Sequence, residues 1–269
     1  AIVEFMDQLL PKIVDWPMAA SLANHLRQHN VEVYLGEAAT EIVVEDGKAV
    51  GVRTGKRTID ADMVIMAVGV RPRSQLAREA GLNVAANGGI VVNDRMQTSD
   101  PAIYAAGDCA EAYHRVLRRN AWVPLGTTAN KQGRIAGANI TGAAERFRGI
   151  VGTAGFVVFE LEVARSGIGE EEAHREGFDP VSVTIRQRSR AHGYPGGSPV
   201  QVRLVADRET GLLLGGELVG REGAALRANI LAAGLAAHMT VSDIQGLDLA
   251  YAPPFAPVWD PALVAANQL

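Results

Sequence analysis

The sequence is poor in cysteine: its 269 residues include only one, Cys109. A single thiol cannot form an internal disulfide, a cysteine-rich zinc site or a dithiol redox pair. Any redox chemistry within this chain therefore needs a bound cofactor or that one sulfur. Aromatic residues are also scarce, at 5%, whereas 48% of the residues are apolar. This composition is typical of a globular protein, and the length predicts about two domains.

The sequence has neither a charge excess nor a long apolar run. Its 26 lysines and arginines are balanced by 30 aspartates and glutamates, so the charge does not favour a nucleic-acid partner. The most apolar stretch, 228–241, is too short to cross a bilayer and contains Asn229 and His238. The first residues lack the cationic start and apolar run of a signal peptide. We therefore expect a cytoplasmic protein with no membrane segment.

The first half of the chain alternates strands with helices. Residues 2–5 are predicted to end a strand, 17–29 to form a helix, and 31–35 to form a second strand. Residues 41–59 alternate as a β-meander with a tight turn at Asp46-Gly47. This order of elements predicts an α/β domain.

Two later segments are apolar enough to be buried strands. Residues 63–68 are apolar on both faces, as a parallel strand covered by helices must be. Residues 96–108 predict another buried strand, and helices are predicted near 74–80 and from about 128 to 140. From residue 147 the pattern changes to alternating runs followed by helices, which predicts a mostly antiparallel sheet.

Two possible motifs carry little weight. The glycines at 167 and 169 imitate a dinucleotide-binding pattern, but three glutamates follow them and would repel a pyrophosphate. His25 and His29 lie four residues apart on one predicted helix and could hold a metal ion. The sequence shows no third ligand nearby, and polar neighbours suggest a solvated face. We therefore expect no metal site.

The segment 98–111, TSDPAIYAAGDCAE, is more informative. A predicted buried strand ends there at small residues and Gly107, which allows a ligand to approach the backbone closely. Asp108 lies just beyond the carboxyl end of that strand, where a carboxylate can accept hydrogen bonds from a sugar alcohol. A turn aspartate that caps the next helix would explain Asp108 but not the whole pattern.

Four segments in this order resemble the pyridine nucleotide-disulfide oxidoreductases: 61–72 (ADMVIMAVGVRP), 98–111, 122–134 (WVPLGTTANKQGR) and 251–261 (YAPPFAPVWDP). The last segment resembles the C-terminal signature of the single-cysteine branch, which includes coenzyme A-disulfide reductases, NADH oxidases and NADH peroxidases. The resemblance implies FAD as a cofactor, with Asp108 bound to its ribityl chain. It also implies NADH as the reductant.

The resemblance assigns cofactor-binding residues at several places. The helix that starts near Thr128 would direct its positive end and the free backbone amides of Thr127, Thr128 and Ala129 at the flavin pyrimidine ring. Glu4 matches an acid that binds adenosine ribose hydroxyls, which makes NADPH less favourable than NADH because its 2′-phosphate would meet a carboxylate; a surface residue at a strand end is the alternative. The implied cofactor-binding residues are Glu4, Gly69, Gly107, Asp108, Gly126, Thr127, Thr128 and Ala129.

Several features of the family are missing from this sequence. Both GxGxxG motifs and the redox cysteine are absent, and Cys109 lies where the family commonly has a small buried residue. We expect Cys109 to be a packed, inert thiol and the chain to be a C-terminal portion of such an enzyme. The resemblance implies an α/β part made of incomplete doubly wound NAD-binding (1–66) and FAD-binding (67–147) domains. An α+β interface domain (148–269) would follow and form a homodimer.

The resemblance also implies the electron acceptor and two acid groups. In coenzyme A-disulfide reductases two tyrosines reach across the dimer and protonate the leaving thiolate. Tyr251 matches the first, and Tyr194 matches the second less fully. Packing at a subunit interface is the alternative for both. The implied acceptors are a small-molecule disulfide, a persulfide, a peroxide or oxygen; a catalytically incomplete dimerising module without flavin remains a second hypothesis.

Overall fold

The computed structural model describes residues 1–269. The first half contains short strands and three helices. Its elements are β1 (Ile2–Val3), α1 (Trp16–Gln28), β2 (Val33–Tyr34), β3 (Ala39–Glu45), β4 (Lys48–Thr54), β5 (Thr58–Asp60), α2 (Gln75–Glu79), β6 (Ala112–His114), β7 (Arg119–Ala121) and α3 (Gly126–Ile140).

Small sheets organise this half. Strands β1 and β2 pair in parallel with α1 between them in sequence, as the strand-helix-strand pattern predicts. Strands β3, β4 and β5 form the predicted meander, with Asp46 and Gly47 in its first turn, both at positive φ. Strands β6 and β7 form a separate hairpin.

The second half is built around one antiparallel sheet of five strands in the order β10-β11-β12-β9-β8, as the alternating runs predict. Its elements are β8 (Ala154–Val158), β9 (Leu161–Gly167), α4 (Glu170–Arg175), β10 (Pro180–Arg188), β11 (Pro199–Asp207), β12 (Leu213–Gly220), α5 (Ala224–Ala236), α6 (Val241–Gln245) and α7 (Pro261–Ala266). None of the seven helices of the chain is long and apolar enough to cross a membrane.

Helices cover both faces of this sheet. Because side chains alternate along a strand, Val163 and Val219 point to one face and their neighbours to the other. The first face packs against Met18 and Leu22 of α1. The opposite face packs against α5 in a larger core that includes Leu231. The sheet is therefore the structural centre of the chain and joins α1 of the first half to the second half.

The two predicted buried strands of the first half are absent. Residues 63–68 form no strand, and most of their apolar side chains are exposed, Val68 by 86%. Residues 96–108 form turns with one isolated bridge, between Gln97 and Tyr104. The physical reason is that a strand needs a neighbour for its backbone hydrogen bonds, and no strand of this chain pairs with either segment.

The glycine pattern at 167–173 is a helix start occupied by the protein itself. Glu170 N–H donates to Asp15 Oδ2 at 2.9 Å, so the N-terminus of α4 binds a carboxylate from the segment before α1. A Cβ on Gly169 would lie 2.4 Å from Asp15 Oδ1, which explains the glycine. The start of α4 is therefore already bound by a carboxylate of the protein itself.

Candidate functional site

The Gly107-Asp108 segment is held from two sides. Gly107, at φ +82°, donates its N–H to Gln132 Oε1 at 2.9 Å. The indole N–H of Trp122 donates to the Asp108 carbonyl at 2.7 Å. Gln132 also donates to the Glu111 carbonyl at 2.9 Å and is fully buried. These contacts fix the segment against α3.

The carboxylate of Asp108 is exposed and has no hydrogen-bond partner within the chain. Its backbone is fixed by hydrogen bonds while its carboxylate is unpaired, so the carboxylate is available to bind a ligand. A Cβ built on Gly107 would lie 3.6 Å from the Ala129 Cβ, so the segment packs closely on the first turn of α3. The structure thus brings Gly107 and Asp108 together with the start of that helix.

The N-terminus of α3 offers three free amides. The N–H groups of Gly126, Thr127 and Thr128 have no acceptor, and the N-cap residue Leu125 supplies no side-chain cap. The prediction that Ala129 is also a free donor is wrong, because its N–H donates to the Leu125 carbonyl at 2.9 Å as the first helical hydrogen bond. No acidic residue stands in the first turn, so the positive end of this helix is uncompensated.

Gln132 is a residue that the sequence analysis missed. It is the seventh residue of α3 and contacts both the Gly107 N–H and the Glu111 carbonyl, but a helical glutamine has no sequence pattern of its own. Only the fold shows that it connects the helix to the segment that carries Asp108.

The other predicted cofactor residues lie apart. Glu4 follows β1 at the carboxyl end of the parallel pair, and its carboxylate accepts the N–H of Met6 at 2.8 Å. Gly69, at φ +95°, follows the exposed apolar segment 63–68 and has no neighbour within 4 Å of a built Cβ. The structure does not bring either residue into contact with Asp108.

The two candidate acid groups lie on segments that touch. Tyr194 lies in the loop between β10 and β11, and Tyr251 lies between α6 and α7. The segments are joined by the Ala191 N–H, which donates to the Pro253 carbonyl at 3.2 Å. Both phenol rings are partly exposed, Tyr194 by 37% and Tyr251 by 49%.

An ion pair supports the Tyr194 loop. Arg190 lies 5.9 Å from the centre of the Tyr194 ring and donates through Nε to Glu222 Oε1 at 2.9 Å. The Arg190 hydrogen bond, with a second from Ser189, lowers the pKa of Glu222. A charged Glu222 therefore fixes the guanidinium at the tyrosine.

Arg227 of α5 anchors both tyrosine segments and was also missed by the sequence analysis. Its guanidinium donates to the Ser189 carbonyl at 2.9 Å, to the Phe255 carbonyl at 3.4 Å and to Asp260 Oδ2 at 2.8 Å. Asp260 in turn caps α7 through the Ala262 N–H. One buried cation thus connects the loop of Tyr194 with the segment of Tyr251.

The segment after Tyr251 exposes large apolar side chains. Phe255, Val258 and Trp259 are each more than half exposed on the same short stretch. Such a cluster is typical of a protein–protein contact surface.

Comparison with known proteins agrees with this architecture. Residues 1–133 match the family model described as pyridine nucleotide-disulphide oxidoreductase, and residues 153–263 match the dimerisation domain of the same family. The NAD(P)H sulfur oxidoreductase (CoA-dependent) of Pyrococcus abyssi is 40% identical over 98% of this chain and 58% of its own length. A coenzyme A disulfide reductase of Staphylococcus aureus is 30% identical over 91% of this chain and 55% of its own.

A solved structure gives the same result. The NAD-dependent persulfide reductase of A. fulgidus is 37% identical and superimposes with a TM-score of 0.96, covering 99% of this chain and 50% of that one. The chain thus spans 50 to 58% of the length of these three relatives. This agreement confirms the fold class expected from the sequence, an α/β part followed by an α+β part. Since the two family models together span nearly the whole sequence, and relatives of the same kind match in sequence and in fold, the chain belongs to the pyridine nucleotide-disulphide oxidoreductase family.

Proposed function

We propose that the whole protein is an FAD-dependent NAD(P)H oxidoreductase that reduces a cysteine-linked disulfide or persulfide, such as coenzyme A disulfide. The observation that carries the proposal is the free Asp108 carboxylate, held beside the uncompensated N-terminus of α3. The names of the Pyrococcus, A. fulgidus and Staphylococcus relatives support the acceptor class.

The residues of this site fit a flavin. Asp108 would accept hydrogen bonds from ribityl hydroxyls, and the amides of Thr127 and Thr128 would donate to the pyrimidine edge of the ring. Bound FAD would supply hydride acceptance from the nicotinamide and electron transfer to sulfur. The positive end of α3 would stabilise negative charge on the reduced ring. Gln132 and Trp122 would keep the carboxylate at a fixed distance from that helix.

Replacing Asp108 with asparagine tests the flavin site. The variant loses the charge of the acceptor while its shape is kept, and charge-assisted hydrogen bonds contribute about 1.5–3 kcal/mol. We therefore expect flavin affinity to fall by about 10- to 100-fold. The measurement is the ratio of visible flavin absorbance to protein absorbance in the purified whole protein, followed by titration with FAD.

Asp100→Asn is the matched control for that variant. Asp100 is exposed, lies in the same motif and bonds only within its own turn. It should keep the flavin content of the unchanged protein. Equal flavin content in both variants and in the unchanged protein would remove Asp108 from the site.

We propose NADH as the preferred reductant because Glu4 lies at the carboxyl end of β1. A carboxylate there accepts ribose hydroxyls and repels a 2′-phosphate. The expected result is a higher kcat/KM for NADH than for NADPH in the whole protein, and Glu4→Ala should narrow the difference. If Glu4→Ala leaves the ratio of the two kcat/KM values unchanged, another residue selects the nucleotide.

We propose that the protein is a homodimer whose second half forms the interface. The match of residues 153–263 to a dimerisation domain and the exposed side chains of Phe255, Val258 and Trp259 support this. In the dimer, Tyr251 and Tyr194 would serve the active site of the partner subunit as proton donors to the leaving thiolate. A phenol with a pKa near 10 can protonate a thiolate whose conjugate acid has a pKa of about 8.5.

Replacing Tyr251 with phenylalanine tests this role. Disulfide reduction should slow by about 100-fold, the low end of the range for a general acid, because a half-exposed phenol leaves room for water. Reduction of the flavin by NADH in single-turnover experiments should keep its rate. Tyr113→Phe, on the exposed side of β6, is the control and should change neither step. Normal turnover in Tyr251→Phe, or rapid reduction of oxygen in place of disulfide, would favour an NADH oxidase instead.

A further inference from the structure

The end of α1 and the turn between β8 and β9 form a cluster outside the proposed site. The turn residue Glu160 places Oε2 at 3.2 Å from His29 Nε2 and at 3.6 Å from His25 Nε2. His25 is buried, with 5% of its surface exposed, so its predicted place on a solvated face is wrong. The third ligand that the sequence did not show is Glu160, 131 positions beyond His29 and brought there by the packing of α1 on the sheet.

In the neutral form of His29 no proton lies between its Nε2 and Oε2 of Glu160. His29 Nδ1 lies 3.0 Å from the His25 carbonyl, which can only accept, so Nδ1 carries the proton. In a neutral ring the lone pair of Nε2 then points at Glu160 Oε2, which is also an electron-pair donor. Two such atoms at 3.2 Å repel each other unless a cation lies between them. A cation between the two atoms, either a proton or a metal ion, would remove this repulsion.

His25 favours the metal ion. Its Nε2 is completely buried and has no hydrogen-bond partner, and at 3.6 Å the carboxylate of Glu160 is too distant to be one. A proton on His29 would leave His25 Nε2 unsatisfied, and buried polar atoms of this kind are rare. One metal ion would satisfy both imidazoles and the carboxylate at the same time.

We propose that His25, His29 and Glu160 bind a divalent transition-metal ion of the Zn²⁺ type. With bonds of about 2.0–2.1 Å, a tetrahedral ion separates its ligand atoms by about 3.3 Å. The distances from the carboxylate to the two rings bracket this value, and the three ligand atoms all lie within 4.8 Å of one another. A water molecule would take the fourth position, since three protein ligands leave a tetrahedral site open.

The surroundings orient these ligands. The His25 carbonyl fixes the tautomer of His29, as outer partners do at known metal sites. Arg221 forms an ion pair with the other carboxylate oxygen, Oε1, at 3.1 Å and leaves Oε2 directed at the imidazoles. Phe159, at φ +52°, stacks on His29 with ring centres 4.1 Å apart.

The location also suits a cation. The cluster lies at the C-terminal end of α1, where the helix dipole is negative. Glu160 is 44% exposed, which provides an entry path, and a polar cleft of about 840 Å³ is bordered by His25 and Arg221. An ion bound there would link α1 to the β8–β9 hairpin.

The test is Zn²⁺ binding to the whole protein, purified without a histidine tag and treated with a chelator. Calorimetric titration should show one Zn²⁺ per chain, and Co²⁺ in its place should give the visible bands of tetrahedral coordination. His29→Ala and Glu160→Gln should each weaken binding by about 100-fold or more, since even an outer partner costs 10- to 100-fold. Both side chains are partly exposed, so these variants should fold where His25→Ala could fail. His174→Ala, at an exposed position of α4, is the matched control and should bind as the unchanged protein does.

Two results would overturn the proposal. The first is equal Zn²⁺ affinity in the unchanged protein, His29→Ala and Glu160→Gln. The second is an NMR titration in which His29 gains a proton next to Glu160 and added Zn²⁺ shifts neither histidine. The second result would mean that a proton, not a metal ion, lies between His29 Nε2 and Glu160 Oε2. Neither result depends on flavin content or turnover, so they are distinguishable from a failure of the proposed function.

Discussion

The variant Arg227→Met should lower the free energy of unfolding by about 3–5 kcal/mol, the usual cost of leaving a buried charge without its partner. Arg227 and Asp260 are both more than nine-tenths buried, and Arg227 Nε donates to Asp260 Oδ2 at 2.8 Å. Methionine fills a similar volume but leaves Oδ2 of Asp260 and the Ser189 carbonyl without the Arg227 donor. For a domain of this size the thermal midpoint should fall by roughly 10 °C.

The double variant separates the ion pair from the packing. Adding Asp260→Asn to Arg227→Met removes the unpaired buried charge of Asp260, so part of the lost free energy of unfolding should be recovered. The matched control is Arg208→Met, which breaks the ion pair with Asp179 in which both partners are mostly exposed. That loss should stay within about 1 kcal/mol. If Arg227→Met and Arg208→Met lowered the free energy of unfolding equally, burial would not make the Arg227–Asp260 pair more stabilising than an exposed pair.

Arg227→Met should also affect catalysis through position. Its guanidinium holds the Ser189 and Phe255 carbonyls, which flank the segments of Tyr194 and Tyr251. We expect disulfide reduction to slow at temperatures where the variant is still folded, while flavin content stays normal because the Asp108 site is formed by other elements.

The variant Glu217→Gln should be the more stable protein at pH 8, by on the order of 4 kcal/mol, and nearly equal to the unchanged protein near pH 4.5. Glu217 lies in β12 with 1% of its surface exposed. Burial, and next the charge of Asp15, raise its pKa from 4.5 to about 8. Arg165 and Arg203 are its register neighbours, but they donate to other groups, so neither pairs with it.

The direction of the pH effect follows from proton binding. Between pH 4.5 and 8 the folded state keeps the Glu217 proton and the unfolded state releases it, so the stability of the unchanged protein falls as the pH rises through this range. Glutamine resembles the protonated acid and can still accept the Asp15 N–H, which lies 2.9 Å from Oε1. The variant should therefore lack this slope.

Denaturant unfolding of both proteins across pH 4.5–8 is the measurement. His114, whose pKa burial lowers to about 4, destabilises the fold as the pH falls below about 6.5, but it does so in both proteins and cancels in the difference. Glu209→Gln, in the exposed turn between β11 and β12, is the control and should stay within about 0.5 kcal/mol of the unchanged protein. A Glu217→Gln difference that does not grow with pH would mean that Glu217 is ionised in the fold.

The sequence was sufficient wherever the signal is local. The meander β3–β5 and the sheet β8–β12 follow from alternation along each strand, because side-chain direction in a strand depends only on neighbouring residues. The family resemblance of 98–111 and 251–261 likewise needs only the order of residues, and it led to Asp108 before any coordinates. Gly107 has φ +82°, a backbone conformation that favours glycine, which the sequence analysis did not predict.

Local patterns failed where a residue depends on a distant partner. Residues 63–68 have the composition of a buried strand. Burial as a strand requires a neighbouring strand, and no strand of this chain pairs with them. Ala129 was counted as a free donor because the exact start of α3, two residues before the predicted one, decides which amide makes the first helical bond.

The amino-acid sequence by itself determined the family, the strand pattern of the second half and the identity of Asp108 as the free carboxylate. Each of these depends on residues that are close together in the sequence. Only the tertiary structure decided which groups meet: Gln132 with Gly107, Arg227 with the two tyrosine segments, Asp15 with the start of α4, and Glu160 with His25 and His29. These pairs are 25 to 155 positions apart. They form because helices and turns pack on one sheet, and contacts across such distances leave no periodic pattern in the sequence.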